Sequence, residues 1–328
     1  MAEARELGII GLGRMGGGLA LSALEKGFRV VGTARGGVSS ELVAAGLVGV
    51  EDAAGLAREL APPRIVLLYI PAGAVVDEVL DTLEGVLERG DIVADGGNSY
   101  WGDSIRRGER LRARGLSFID LGTSGGVSGA REGACFMAGG EREPVARLEP
   151  ILRHLAVEGG FVHAGPIGAG HFTKLVHNGI EFGMLQAIGE GVALLEGYRD
   201  RLDVGAVLEC WRHGSVIRSW LIDLMREAYV EAGGLEQTPP YVEDTGEVSW
   251  LVDDALHMEV PTPVIAQAVI QLVASRDGRS AASRAIALMR HGFGGHPFGP
   301  SEPVADERHH GRVGSYLEDG EASLDDGR

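Results

Sequence analysis

The sequence predicts an α/β protein: a doubly wound, mainly parallel sheet followed by a smaller all-helical domain. Three observations carry the prediction. Short apolar runs alternate with longer amphipathic ones as far as Gly165, a Gly-rich turn joins the first run to the first amphipathic stretch, and only helix-length periodic segments occur beyond Gly170. Strands that alternate with helices are joined by crossovers, which makes the sheet parallel and covers both of its faces.

Residues 7–10 form an apolar run closed by glycines, the first strand. Residues 15–26 carry Met15, Leu19, Leu21, Ala23 and Leu24 at helical spacing and stop at Gly27. Residues 28–31 are a second strand. Residues 65–70 are a third, preceded by Pro62-Pro63 and ended by Pro71 and Gly73. Residues 91–95 and 117–120 give two more, and 134–138 and 160–163 extend the sheet. After Gly165-Pro166 the texture changes. Residues 171–196 hold no turn signal strong enough to end a helix, which predicts a rod of roughly 39 Å. Residues 204–213, 216–232, 248–258 and 263–275 also read as helices. From Pro300 onward the chain is rich in Glu, Asp, Ser, Gly and His, which predicts a flexible acidic tail.

Composition narrows the function. With 328 residues, 45% of them apolar, a sizeable core can be buried. A net charge of −17 repels phosphate backbones and anionic membranes, which excludes nucleic acid and membrane as general partners but allows a local pocket for a small anion. Two cysteines, Cys135 and Cys210, make no disulfide framework and suit a reducing cytoplasm, where burial as small hydrophobes is the default for both. No secretory signal pattern and no membrane-length apolar run is present, and no Cys/His cluster has zinc spacing, so no metal is expected.

Gly11-Leu12-Gly13-Arg14-Met15-Gly16 is a G-x-G-x-x-G between a predicted strand and a predicted helix. Its glycines allow a tight turn, close approach of a pyrophosphate and close helix–strand packing, while the helix N-terminus faces the phosphates. The sheet is therefore expected to be of the Rossmann type. A carboxylate at the end of the second strand would bind the ribose 2′-hydroxyl of NAD, but the stretch there is Val-Val-Gly-Thr33-Ala-Arg35. The Thr33 hydroxyl and Arg35 guanidinium suit the 2′-phosphate of NADP better, with NAD possible.

Farther on, Lys174, His177, Asn178 and Glu181 follow one another at helical spacing and share one helix face. A His-Asn pair between a lysine and a glutamate, in a run with few other charges, predicts a polar face turned into a cleft.

Here the chain resembles the 6-phosphogluconate dehydrogenases, decarboxylating enzymes of the pentose phosphate pathway, and among them the short form with a reduced helical domain. The likeness runs from about Leu7 to His296 and rests on the 11–16 motif, Asp95-Gly96-Gly97-Asn98, Gly122-Thr123-Ser124-Gly125-Gly126, the 170–181 segment and Phe293-Gly294-Gly295-His296. The resemblance implies a dinucleotide-binding domain over 1–167, a helical substrate and oligomerisation domain over 168–299 and a tail over 300–328. It implies Lys174 as the base that takes the C3 hydroxyl proton and Glu181 as the acid that protonates C1 after loss of CO₂. Asn98, Ser124, Gly125, Gly126, His177 and Asn178 would hold the sugar acid, and Pro71 and Asn98 would touch the cofactor. Arg290 and His296 match a pair that enters the neighbouring subunit's site, which implies a homodimer or homotetramer with composite active sites. Some positions depart from the family. Phe182 stands where the family has a tyrosine that contacts the substrate phosphate. Leu272 replaces an arginine serving the same group, and Thr245 lies where longer forms carry a lysine. The phosphate end looks thinned, which leaves open a close polyhydroxy acid as substrate. The alternative is a β-hydroxyacid dehydrogenase acting on another 3-hydroxy acid, phosphorylated or not, with or without decarboxylation.

Overall fold

Short, continuously apolar strands build the first layer of the fold. The computed structural model describes residues 5–198, 200–242, 246–278, 280–294 and 298. Its elements, in order, are β1 (Glu6–Ile10), α1 (Arg14–Glu25), β2 (Arg29–Thr33), α2 (Ser40–Ala44), β3 (Val48–Gly49), α3 (Ala53–Glu59), β4 (Ile65–Leu68), α4 (Ala74–Glu84), β5 (Ile92–Asp95), α5 (Trp101–Ala113), β6 (Ser117–Ser124), α6 (Gly126–Glu132), β7 (Ala134–Gly139), α7 (Arg142–Leu155) and β8 (Ala156–Gly165). The helical part follows: α8 (Ala169–Glu196), α9 (Val204–Gly214), α10 (Trp220–Ala232), α11 (Glu247–His257), α12 (Pro263–Ser275) and α13 (Ala281–Gly294).

The strands form one sheet in the order β3-β2-β1-β4-β5-β6-β7-β8, with every pairing parallel except β6 with β7. Leu7, Ile9, Val30 and Leu67 pack on one face with Leu19 and Ala23 of α1 and Leu148 and Ile151 of α7. Ile10, Val31, Val66 and Leu68 pack on the other with Leu56, Leu80 and Leu111 of α3, α4 and α5. Burial of the strands on both faces explains why they read as continuous apolar runs. The chain order reverses between β1 and β4, so a crevice opens beyond their carboxyl ends, where nucleotides bind in sheets of this type.

Several boundaries differ from the sequence reading. β6 runs on to Ser124, four residues past the expected end at 120, because β7 pairs with it antiparallel along Asp120–Ser124. β3 has only two residues, too few to leave a pattern. β8 starts at Ala156, directly after α7, with its edge exposed. α10 begins at Trp220, not 216, because the Ser219 hydroxyl caps it by accepting from the Ile222 N–H. Both cysteines, expected to be buried, are exposed free thiols.

The chain divides into two compact units, the first ending at Leu272 and the second starting at Val273. The second unit holds α13, whose described side chains are almost all exposed. Among the described residues, no helix is long and apolar enough to cross a membrane. The expected tail lies outside the described residues.

Candidate active site

The cofactor end is built by glycines where β1 turns into α1. Gly11 has φ +95°, and a side chain on it would strike the Tyr69 carbonyl at the end of β4. A side chain on Gly16 would strike the Gly11 carbonyl, so helix and turn sit at backbone contact. Above Gly13 the space is open for 4 Å, and no side chain caps the α1 N-terminus that begins there. Free N–H groups beneath an open space fit a pyrophosphate. Leu12, Arg14 and Met15 belong to the same turn, and Pro71 is exposed just beyond β4. Thr33, read as a 2′-phosphate ligand, is buried and spends its hydroxyl hydrogen on the Glu51 carbonyl at 3.1 Å. Arg35 is exposed and only loosely paired with Glu78, at 3.5 Å, so it is the cation available beyond β2.

The chemistry end depends on how α8 is seated. Asp120, fully buried on β6, accepts hydrogen bonds from the backbone N–H of Gly168 at 2.8 Å and of His171 at 2.7 Å. A strand carboxylate thereby caps the first turn of α8. Gly122 of β6 lies where a Cβ would come within 2.7 Å of the Lys174 Cβ, and a side chain on Gly170 would strike the Asp120 and Met137 carbonyls. Only glycines allow this approach. His171, buried, bonds the Ser104 hydroxyl through Nδ1 at 2.7 Å and the Asp95 carbonyl through Nε2 at 3.0 Å, which ties α8 to the end of β5. The Asp95 carbonyl can only accept, so Nε2 carries a proton.

One turn later the polar face appears. Lys174 and Asn178 are buried, while His177 and Glu181 are partly open. His177 lies at the centre: Nε2 is 3.0 Å from the Ser124 hydroxyl, and Nδ1 is 3.4 Å from Lys174 Nζ, 3.3 Å from Asn178 Oδ1 and 3.7 Å from Glu181 Oε2. Burial pushes the Lys174 pKa below that of a free lysine, against the charges of Glu181 and Glu247. Burial and the neighbouring Lys174 lower that of His177. A lysine so disposed is prepared to act as a base.

The structure thus brings Lys174, His177, Asn178, Glu181 and Ser124 together. Gly125 and Gly126 follow Ser124 with positive φ at the start of α6, and the Trp220 ring lies near Gly126. Asn98 is exposed beyond β5 and donates to Glu247 on α11. Arg290 is an exposed residue of α13 in the second compact unit, and Thr245 and His296 lie outside the described residues. Phe182 packs against an apolar cluster of Val248, Val269 and Leu272, so two departures from the family pattern meet in one apolar wall. Sequence reasoning missed Asp120, the bonding of His171, and the acids Glu247 and Asp254. Asp120 had a signal, a lone acid closing an apolar strand run; the others become neighbours only through tertiary packing.

Comparison with known proteins decides the family. Residues 6–165 match the NAD binding domain of 6-phosphogluconate dehydrogenase, and residues 170–297 match the 6-phosphogluconate dehydrogenase C-terminal domain. The chain belongs to the 6-phosphogluconate dehydrogenase family. A putative 6-phosphogluconate dehydrogenase of Bacillus subtilis is 40% identical over 89% of this chain and 98% of its own length. The NAD(+)-dependent, decarboxylating 6-phosphogluconate dehydrogenase of Haloferax volcanii is 39% identical over 89% of this chain and 97% of its own. Among solved structures, the Plasmodium falciparum 6-phosphogluconate dehydrogenase, studied with NADP+ and with 6-phosphogluconate, superposes with a TM-score of 0.75 at 26% identity. That match covers 92% of this chain but 68% of the longer one, as expected of a short-form 6-phosphogluconate dehydrogenase. Like its family, this chain is an NAD(P)-dependent decarboxylating oxidoreductase.

Proposed function

We propose that this chain catalyses the NADP-preferring oxidative decarboxylation of 6-phosphogluconate, or of a close polyhydroxy acid, to ribulose 5-phosphate or its analogue and CO₂. The observation that carries the reading is a buried Lys174 of lowered pKa beside His177, with Glu181 one turn farther along the same helix face.

The bound nicotinamide would supply the hydride acceptor. Lys174, in its neutral form, which burial favours, takes the proton of the C3 hydroxyl as the hydride leaves C3. The 3-keto acid that results sheds CO₂, because its carbonyl accepts the electrons of the breaking bond. Glu181 gives a proton to C1 of the enediol, a role with no purpose in a dehydrogenase that keeps its carboxylate. His177 and Asn178 hold hydroxyls, while Ser124 and the N–H groups of Gly125 and Gly126 receive the substrate carboxylate. Asn98 bridges substrate and nicotinamide.

Arg35 supports the preference for NADP, since β2 ends without a carboxylate. We further read residues 168–299 as the substrate and oligomerisation region of a homodimer or homotetramer, with Arg290 and His296 completing a neighbour's site. The second half of α8 supports this: Met184, Leu185 and Leu194 are exposed along it, apolar surface that neighbouring copies would cover. A cytoplasmic setting would keep Cys135 and Cys210 as thiols. The test is a panel of phosphorylated and unphosphorylated aldonic acids with NADP and NAD in parallel. Turnover of 6-phosphogluconate that favours NADP supports the reading, and turnover confined to acids outside this class removes it.

A further inference from the structure

Glu247, in the first turn of α11, reaches the loop after β5, where its Oε1 accepts a hydrogen bond of 2.9 Å from Asn98 Nδ2. An ionised carboxylate can only accept. The contact therefore settles the orientation of the Asn98 amide: NH₂ toward α11, Oδ1 left for whatever binds beside it. α11 is anchored twice more beyond this contact. Asp254, buried on the same helix, accepts from the Tyr100 hydroxyl at 3.1 Å and from Trp101 Nε1 at 2.7 Å, the residues that follow the Asn98 loop. Leu251 sits against Gly179 of α8, where any side chain would collide with it. The helix bearing Glu247 is thus fixed to the loop that bears Asn98 and to the helix that bears Lys174.

We infer that Glu247 is a positioning residue of the active site, which holds the Asn98 amide with its carbonyl oxygen presented to substrate and nicotinamide. The inference rests on the function proposed above. Its charge has a second effect. Lys174 is faced by His177 and Glu181 from α8, by Cys135 from β7 and by Glu247 from α11, and the Glu247 carboxylate favours the protonated amine. Removing that charge lowers the Lys174 pKa further, which moves the acid limb of kcat/KM to lower pH.

Two variants separate the effects. Glu247→Ala deletes the acceptor, and Glu247→Gln keeps an acceptor but no charge. Glu247→Ala is expected to lower kcat/KM about tenfold in the wild-type background, equivalent to about 1.4 kcal/mol, and less than about twofold in an Asn98→Ala background. Effects that multiply in this double-mutant cycle overturn the inference, because Glu247 would then act independently of Asn98. Glu247→Gln is expected to shift the acid limb to lower pH, a change that a merely structural role would not produce. The Lys174 pKa is read separately, without turnover, from the pH dependence of its labelling by a small amine-reactive reagent, followed by peptide mass spectrometry. If 6-phosphogluconate is not turned over but the labelling midpoint still falls in Glu247→Gln, the functional reading fails and the placement of Glu247 stands. An unchanged midpoint overturns that placement.

Discussion

In the mechanism we propose, Lys174 is the residue on which the chemistry turns. A general base contributes typically 10²–10⁴-fold, so Lys174→Met is expected to lower kcat by that much while cofactor affinity, read by fluorescence titration, stays within a few-fold. Near-normal turnover would remove Lys174 from the mechanism. Its lowered pKa also sets a direction with pH. The base must be neutral, so kcat/KM climbs as pH rises through the Lys174 pKa, below the range of a free lysine. Arg35 is the second residue that the proposed function depends on. Thr33 is committed to the Glu51 carbonyl, so our proposal assigns the 2′-phosphate to the Arg35 guanidinium. Charge-assisted hydrogen bonds contribute about 1.5–3 kcal/mol, and an exposed one lies at the low end. Arg35→Ala is therefore expected to raise the KM for NADP about tenfold and leave that for NAD nearly unchanged; equal effects would sink the assignment. Thr33 also illustrates a limit of sequence reading. A hydroxyl at a strand end was legible as a ligand, but its carbonyl partner 18 residues away was not.

At the scale of elements, the seat of α8 on β6 converts sequence into geometry. The polar face of α8 was readable from its spacing, because Lys174, His177, Asn178 and Glu181 lie on one helix. The depth of that face was not, since it depends on Gly122 and Gly170 letting backbones touch and on Asp120 capping the helix from another element. Asp120→Asn keeps one acceptor but turns an NH₂ group toward a backbone donor. We expect a loss of about 2–3 kcal/mol in stability by thermal or denaturant unfolding, and a fall in kcat at temperatures where the variant is fully folded. Full kcat in a folded variant would show that the cap does not position Lys174. The wall formed by Phe182 and Leu272 gives another expectation. Phe182→Tyr adds a hydroxyl to a partly buried ring and should fold normally. Leu272→Arg, at 5% exposure among Val248 and Val269, buries a charge among apolar side chains and should destabilise by several kcal/mol. A stable Leu272→Arg protein with improved kcat/KM for 6-phosphogluconate over gluconate would mean that this wall opens to the substrate phosphate.

For the molecule as a whole, alternation of strand and helix patterns was enough to read the doubly wound sheet, and the Gly11–Gly16 turn marked its β1 end as the expected place of the cofactor. Both features are local in sequence, and the core they require is buried on both sheet faces. The two-residue β3, the antiparallel direction of β7 and the latch from Asp254 to Tyr100 and Trp101 left no local signal, because each depends on a partner outside its own segment. What the whole assembly is built to do reduces to one pairing of events: hydride leaves the substrate, and the carboxylate then leaves as CO₂. The most direct measurement supplies 6-phosphogluconate and NADP, and follows reduced cofactor by absorbance and CO₂ by a coupled or isotopic assay in the same reaction. The account predicts one CO₂ for each cofactor reduced, from the first turnovers onward. Reduced cofactor that accumulates without CO₂ would contradict it, and would make the chain a dehydrogenase that keeps its substrate's carboxylate.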